Sequence, residues 1–122
     1  MTGKTIQIVE DDGLIALHLA QMLEKAGYRI NDVVCSGEMA LHALETPPPP
    51  DLILMDIGLA GSLDGIETAR MIRQKYSIPL IFATSYSTDK MLERMLEVAP
   101  DGVIFKPYNE RDLLDKIENV IM

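Results

Sequence analysis

The stretch LILMDIG, residues 52–58, decides the fold of this chain. Its first four residues are large and apolar, and no polar residue alternates with them. A run of this kind is typical of a strand that is buried on both faces, as in a parallel sheet covered by helices. We therefore predict that DLILMD, residues 51–56, is the central strand of a parallel sheet and that Asp56 stands where this strand ends.

On both sides of this strand, segments with strand patterns alternate with segments with helical patterns. Strands are predicted in KTIQIVEDD, at about residues 5–9, and in RINDVVCS, DLILMD, IPLIFAT and GVIFK. Helices are predicted in GLIALHLAQMLEKAGY, GEMALHALE, DGIETARMIRQKY, STDKMLERMLEVA and NERDLLDKIENVIM. Strict alternation implies right-handed crossovers, which produce a parallel sheet with helices on both faces. The predicted fold class is therefore α/β, with five strands and five helices.

Residues that favour helix ends mark several of the predicted boundaries. Asp12 is interpreted as the cap of the first helix, and Gly27 as the left-handed residue that ends it. Asp64 and Glu67 have the spacing of a capping box at the start of the third helix. The prolines at 47–50 are interpreted as a stiff loop before the central strand rather than as a polyproline ligand.

Length, charge and cysteine content narrow the class of protein. The 122 residues, 48% of them hydrophobic, are enough for one domain with a real core. A net charge of −8 repels phosphate backbones and anionic lipids, so we expect neither direct nucleic-acid binding nor membrane binding. Cys35 has no partner for an internal disulfide, and the N-terminal apolar run is too short for a signal peptide or a membrane span. We expect a cytoplasmic protein.

Polar residues follow four of the predicted strands at the point where each strand ends. They are Glu10 and Asp11 after the first strand, Asp56 after the third, Thr84 and Ser85 after the fourth, and Lys106 after the fifth. In open parallel sheets, ligands bind outside the carboxyl ends of the strands. Each residue alone has an ordinary explanation as a turn former, a helix cap or a solvated side chain. Their shared position at one edge of the sheet favours a functional site.

These residues and their neighbours resemble the receiver domain of two-component response regulators over the full length of the chain. The matching stretches are IVEDD, LILMDI, DGIE, IPLIFATS and FKPY, in the order that the family has them. The resemblance implies a flavodoxin-like (βα)5 fold, which is a three-layer sandwich with strand order 2-1-3-4-5. It also implies one receiver domain across residues 1–122 and a cis peptide bond before Pro107.

The resemblance assigns roles to the residues at the strand ends. Asp56 corresponds to the phosphoacceptor, Glu10 and Asp11 to the acidic pair, Thr84 to the hydroxyl switch residue and Lys106 to the family's lysine. The implied function is to accept a phosphoryl group from a sensor histidine kinase or a histidine phosphotransfer protein. This reaction would switch a face that binds an unknown downstream protein, so the chain would be a signalling domain rather than an enzyme.

The same residues predict a metal site. Three carboxylates near one another repel, and a divalent cation relieves that repulsion. Mg²⁺ prefers oxygen ligands and usually keeps several waters. We therefore expect Mg²⁺ as the cofactor, bound by Asp11, Asp56 and the main-chain carbonyl of Gly58, with Glu10 acting through water.

The sequence departs from the family pattern in two places. Many receivers carry an aromatic residue three positions before the lysine, where this chain has Val103. The switch would then use Tyr86, Tyr108 or loop motion alone, and these alternatives stay open. The loop after Asp56 also lacks the usual proline, and its segment LAGSL is one residue longer than in the chemotaxis receiver, so we predict a more mobile loop.

Two predictions concern methionines on helices. Met39, Leu41 and Leu44 are candidate core residues of the second helix. Met91 and Met95 of the fourth helix are hypothesised to form an adaptable surface for a partner or a homodimer. The alternative is that Leu92, Leu96 and Ala99 pack inward and the methionines lie only at the margin of the core.

Other functions are weighed against this interpretation. A haloacid-dehalogenase-type phosphatase would need a second aspartate two residues after its nucleophile, and Gly58 stands there. A nucleotide or flavin module would need a glycine-rich loop after the first strand, where EDDG stands. A pseudo-receiver that binds partners constitutively is disfavoured by the complete set of site residues. The sequence shows no output domain, and a stand-alone receiver and a fragment of a larger regulator or hybrid kinase both stay open.

Overall fold

The computed structural model describes residues 3–85 and 88–121, in which strands and helices alternate strictly. The elements are β1 (Thr5–Val9), α1 (Gly13–Lys25), β2 (Arg29–Val34), α2 (Gly37–Ala43), β3 (Leu52–Met55), α3 (Gly65–Lys75), β4 (Leu80–Thr84), α4 (Asp89–Glu97), β5 (Gly102–Phe105) and α5 (Glu110–Ile121). The predicted order of elements is confirmed. Most boundaries differ by one to a few residues, because capping residues and strand-end acids lie just outside the regular elements.

The strands form one parallel sheet in the order β2-β1-β3-β4-β5. β3 lies in the middle of this sheet, and none of its four residues is more than 2% exposed. This confirms both the flavodoxin-like strand order and the expectation that LILM is buried on both faces.

The apolar core lies in two layers, one on each face of the sheet. Ile53 and Met55 of β3 belong to the layer that includes side chains of α2, α3 and α4. Leu52 and Leu54 belong to the layer that includes side chains of α1 and α5. Because successive side chains of a strand point to opposite faces, β3 contributes to both layers, and the structure is a three-layer sandwich.

The predicted helix boundaries depend on capping side chains that the structure shows. Asp12 accepts hydrogen bonds from the N–H groups of Leu14 and Ile15, at 3.0 and 3.2 Å, and caps α1. Asp64 and Glu67 form the reciprocal capping box at the start of α3. Gly27, after α1, has a positive φ of 102°, as predicted. The prolines at 47–50 lie outside any helix or strand, in the connection from α2 to β3.

In α4, the surface hypothesis is wrong for Met95, and the alternative of inward packing is wrong for Leu96. Met95 is 1% exposed and lies in the core, whereas the side chain of Leu96 is 69% exposed. Met91 and Leu92 are partly buried and pack against the same core layer. The buried stripe of this short helix therefore runs through positions 91, 92, 95 and 98, a helical spacing that turns Leu96 outward.

The expectation that Met39 is a core residue is also wrong, because its side chain is 48% exposed. α2 is seven residues long and buries Ala40 in its place, whereas Leu44 at its C-cap is buried as predicted. Met39 precedes Ala40 by one residue, which rotates it by about 100° around the helix and away from the sheet. Across residues 3–85 and 88–121, no helix has the length and apolar character needed to span a membrane.

Candidate functional site

Three carboxylates meet at the carboxyl edge of the sheet. Glu10 and Asp11 follow β1 and Asp56 follows β3, and one oxygen of each lies within 4.8 Å of the others. They meet because β1 and β3 are neighbouring parallel strands that end in register. Glu10 is 4% exposed, Asp56 is partly buried and Asp11 is exposed, so the cluster reaches from the core to the solvent.

Backbone hydrogen bonds hold the two innermost acids in place. Glu10 donates its N–H to the carbonyl of Val34 over 2.9 Å, and Asp56 donates its N–H to the carbonyl of Val9 over 3.0 Å. Each bond extends the sheet by one step beyond the strand that precedes the acid. The sheet itself therefore positions these two carboxylates.

Lys106 places its ammonium group between two of the carboxylates. Its Nζ donates to Glu10 Oε1 and, over 3.1 Å, to Asp56 Oδ2. Its side chain is 18% exposed. The main-chain N–H of Lys106 donates to the carbonyl of Thr84 over 2.9 Å, and its peptide bond to Pro107 is cis, as the resemblance implied. Lys106 thus links the ends of β1, β3 and β4.

The environment of the cluster shifts the pKa values of two members. Burial raises the pKa of Glu10, and the hydrogen bonds from Lys106 and from the Asp12 N–H oppose this without reversing it, while the charge of Asp56 adds to the rise. Burial alone would lower the pKa of Lys106, but its hydrogen bond to Glu10 and the charge of Asp56 raise that pKa above its ordinary value. Lys106 is therefore a cation at neutral pH, and it contacts two of the three clustered acids.

The other residues predicted for the site lie at the same edge of the sheet. Thr84 ends β4, the strand that pairs with β3, and is fully buried, whereas Ser85 is exposed. Gly58 is partly buried and follows Asp56 by two residues. The predicted residues therefore gather at the ends of β1, β3, β4 and β5, and direct side-chain contacts join Lys106 to the two innermost acids.

Gly65 supports the site in a way that the sequence analysis missed. It begins α3 and donates its N–H to the carbonyl of Ile57 over 2.8 Å. A Cβ atom at this position would lie 1.9 Å from the carbonyl oxygen of Asp56 and 2.8 Å from the Cα of Ile57. Glycine therefore lets α3 approach the backbone of the acid. The spacing in DGIE predicts a helix cap, but it does not predict this contact.

The loop after Asp56 is anchored to α2 and to α4. Ser62 donates its N–H and its hydroxyl to Glu38 Oε2, at 3.2 and 2.8 Å. Arg94 on α4 donates Nη2 to Asp64 Oδ2 over 2.8 Å. Ser62 lies 24 positions after Glu38 in the sequence, and Arg94 lies 30 positions after Asp64. No local pattern in the sequence therefore indicates these contacts. The mobility of this loop stays a prediction.

Tyr108, one of the two aromatic candidates for the switch, lies on the opposite side of the sheet from Val103. Val103 on β5 packs against the core layer that includes α2, α3 and α4. Tyr108 packs against the opposite layer, which includes α1 and α5, and burial raises the pKa of its hydroxyl. Tyr108 therefore does not occupy the place of the missing aromatic residue. Tyr86, the other candidate, lies outside the described residues.

Comparison with known proteins gives consistent matches. Residues 6–118 match the family model described as the response regulator receiver domain. The chain is 32% identical over 115 residues to the transcriptional regulatory protein PdtaR of Mycobacterium tuberculosis, which covers 94% of this chain and 55% of that protein. It is 36% identical over 124 residues to the phosphate regulon transcriptional regulatory protein PhoB of Pseudomonas aeruginosa, which covers 99% of this chain and 53% of that protein. The chain spans about half the length of these curated relatives.

A solved structure shows the same similarity in three dimensions. The response regulator receiver domain protein (CheY-like) from Methanospirillum hungatei superposes with a TM-score of 0.85 at 31% identity. The superposition covers 95% of this chain and 91% of that one. The similarity therefore extends over nearly the whole of both chains.

Proposed function

Since the chain belongs to the response regulator receiver domain family, we propose that it accepts a phosphoryl group on Asp56. Receiver domains are signalling domains of two-component systems, and phosphoryl transfer to an aspartate is their general function. The proposed donor is the phosphohistidine of a sensor histidine kinase or of a histidine phosphotransfer protein. We take residues 1–122 as one such domain.

The position of Lys106 beside Asp56 supports this choice of acceptor. A phosphoacceptor needs a carboxylate oxygen that the donor can reach and a cation close to the transferred oxygens. The side chain of Asp56 is 13% exposed, and the ammonium of Lys106 lies 3.1 Å from its Oδ2. Glu10 also contacts Lys106, but its side chain is 4% exposed, which leaves little room for an incoming phosphohistidine.

The donor atoms at the site fit Mg²⁺, which receiver domains generally bind at an acidic pocket. Carboxylate and carbonyl oxygens are the ligands this ion prefers, and the raised pKa of Glu10 reflects the burial and crowded negative charge that a cation would relieve. We propose that Asp11, Asp56 and the main-chain carbonyl of Gly58 bind the ion, with Glu10 acting through water. When bound, Mg²⁺ would supply positive charge next to the phosphoryl oxygens.

The proposed reaction is a displacement at phosphorus. A carboxylate oxygen of Asp56 attacks the phosphorus of the phosphohistidine, an O–P bond forms while the N–P bond breaks, and the imidazole nitrogen keeps the electron pair of the broken bond. Lys106 stabilises the negative charge of the transferred oxygens. The hydroxyl of Thr84 and the main-chain N–H of Ser85 donate hydrogen bonds to the phosphoryl group once it is attached.

The proposed read-out is a change in the packing of α4. β4 ends at Thr84 and the next element, α4, begins at Asp89, and Arg94 ties α4 to Asp64 in the loop that follows the acceptor. Movement of Thr84 toward the phosphoryl group would therefore act on the start of α4 along the chain. A change in the loop that follows the acceptor would act on α4 through the pair of Arg94 and Asp64. Two packings of α4 that differ in their affinity for a downstream protein would complete the switch.

Intact mass after incubation with acetyl phosphate tests the proposal. We expect a phosphoryl adduct on the wild-type protein in the presence of Mg²⁺, little adduct with EDTA and none on Asp56→Asn. Asp12→Asn is the matched control, because Asp12 neighbours the acid cluster but serves as the cap of α1, a role that Asn also fills.

Each alternative result has a defined meaning. An adduct that persists on Asp56→Asn would place the acceptor on another residue. A wild-type protein that gains no phosphoryl group from acetyl phosphate and shows no Mg²⁺ binding by calorimetry would instead be a pseudo-receiver.

A further inference from the structure

A groove lined mainly by apolar side chains lies between α1, β2 and α2, next to the acid cluster. Its volume is about 370 Å³, and its apolar lining comprises Ala16, Leu17, Ala20, Val33, Val34 and Met39. Three of these side chains are large and strongly exposed: Leu17 at 55%, Val33 at 48% and Met39 at 48%. Apolar side chains that converge from three elements and stay exposed are typical of an interaction surface.

The sequence builds this hollow through small residues on α1. Gly13, Ala16 and Ala20 line the groove from positions that share one side of the helix. Because none of them fills the space beside β2, the larger side chains of Leu17 and Val33 are left as walls of a groove. The hollow therefore results from the spacing of small residues along α1.

A second hollow continues the groove past Met39. It has a volume of about 400 Å³ and shares Val34 and Met39 with the first. Its other lining residues are Asp32, Glu38, His42 and Ala43. Two adjoining hollows that share Val34 and Met39 suit an elongated occupant with several side chains, such as a helix, better than a small molecule.

The charges around the groove are acidic. Asp11 lines the first hollow and Asp32 and Glu38 line the second, while Glu10, which also lines the first, is paired with Lys106. Within the part of the chain that the structure describes, neither hollow is lined by a lysine or an arginine. The whole chain carries a net charge of −8, so a second copy presenting its own acidic groove would be repelled, whereas a basic segment would be attracted.

We propose that this groove docks a basic amphipathic helix of a partner protein. Apolar residues spaced three or four positions apart on that helix contact Leu17, Val33 and Met39, and flanking lysines or arginines pair with Asp32 and Glu38. The surface lies on α1, β2 and α2, away from the proposed switch at α4. Docking requires neither a phosphoryl group on Asp56 nor a metal ion, so it stands or falls separately from the proposed function.

Fluorescence anisotropy with a labelled synthetic peptide tests the proposal. The probe is a helix-forming peptide of about 18 residues with leucines on one face and lysines elsewhere, and the control peptide has the same composition with leucines around the whole helix. Binding is measured in EDTA to the wild type, Leu17→Glu, Met39→Glu and Met71→Glu. Met71 is the matched control, since this methionine of α3 is 44% exposed and lines neither hollow.

We expect the amphipathic peptide to bind the wild type and Met71→Glu with equal affinity, and to bind Leu17→Glu and Met39→Glu about tenfold more weakly or worse. The control peptide should bind more weakly than the amphipathic one. Cys35, the one cysteine of the sequence, lines the first hollow, so saturating peptide should slow its alkylation by iodoacetamide. Circular dichroism establishes that each variant is folded.

Several results would overturn the proposal. Equal binding of both peptides would show attraction by charge alone, and unchanged binding by Leu17→Glu and Met39→Glu would place the peptide elsewhere. No binding of the amphipathic peptide at about 1 mM would exclude this class of partner. Sedimentation that shows a dimer of the wild type but a monomer of Met39→Glu would assign the groove to a second copy of the chain.

Discussion

Gly65→Ala should destabilise the protein and impair the site, because α3 begins in contact with the backbone of Asp56. An added Cβ would lie 1.9 Å from the carbonyl oxygen of Asp56, where ordinary contacts begin at 3.4 Å. The atoms it meets are backbone, so the start of α3 or the end of β3 must move by more than an ångström. Gly13→Ala is the matched control: Gly13 also begins a helix, and nothing lies within 4 Å of its added Cβ.

The magnitude follows from two opposing effects. Replacing glycine by alanine where the backbone permits it stabilises a protein by about 0.4–1 kcal/mol through the unfolded chain. Overpacking a close contact costs about 1–3 kcal/mol, and the severity of this contact favours the upper end of that range. We therefore expect Gly65→Ala to lower the free energy of unfolding by about 2 kcal/mol. Gly13→Ala should leave it unchanged or raise it by up to about 1 kcal/mol.

Urea denaturation followed by circular dichroism measures both variants. The same samples, incubated with acetyl phosphate and Mg²⁺ under conditions in which they are folded, report on the site by intact mass. Gly65→Ala should gain phosphoryl groups at least about tenfold more slowly than the wild type, since a displaced Asp56 loses its alignment with Lys106. Equal stability of Gly65→Ala and Gly13→Ala would refute the reasoning from the close contact.

Three further predictions concern packing and charge. Met95→Ala should lower the free energy of unfolding by about 2–4 kcal/mol, and Leu96→Ala by less than about 0.5 kcal/mol, in urea denaturation; similar losses would contradict the orientation of α4. Arg94→Ala should speed hydrogen exchange of the α4 amides, whereas Arg70→Ala, on the exposed side of α3, should not. Asp101 has a lowered pKa, since burial, which alone would raise it, is outweighed by hydrogen bonds from the α3 arginine at position 73 and from the first N–H of β4. A carboxylate whose pKa is lowered by folding stabilises the fold at pH values above its pKa in the unfolded chain, which is about 3.9. This stabilisation is lost as the pH falls through the pKa of the same group in the folded protein, the folded value. Asp101→Asn should therefore cost about 1 kcal/mol at pH 7, discounted for partial exposure, and progressively less as the pH falls through the folded value; a loss that does not depend on pH would assign the effect to packing.

The elements and their order were predictable because their signals are local. An apolar run without alternation identified β3, and the capping residues Asp12 and Asp64 marked the starts of two helices. The fold then follows from a general rule about alternating strands and helices. The gathering of Glu10, Asp56 and Lys106 was predictable for the same reason, since parallel strands bring their carboxyl ends to one edge.

The orientation of α4 was not predictable, because four apolar residues on a nine-residue helix fit more than one buried stripe. Met91, Leu92, Met95 and Leu96 are alike in hydrophobicity, and the contacts with the core layer decide between them. The role of Gly65 and the pair between Arg94 and Asp64 depend on distances between separate elements. Sequence patterns describe one element at a time, so such contacts stay hidden until the elements are packed.

The way the site is attached to the sheet explains why its side chains can be tested without loss of the fold. Glu10, Asp56 and Lys106 each use the main-chain N–H to extend a strand ladder, through Val34, Val9 and Thr84 respectively. A substitution that keeps the shape of the side chain leaves these backbone bonds in place. Asp56→Asn should therefore retain the stability of the wild type while it loses the phosphoryl adduct. A variant that lost both would show that the side-chain charge of Asp56, rather than the backbone, holds the end of β3.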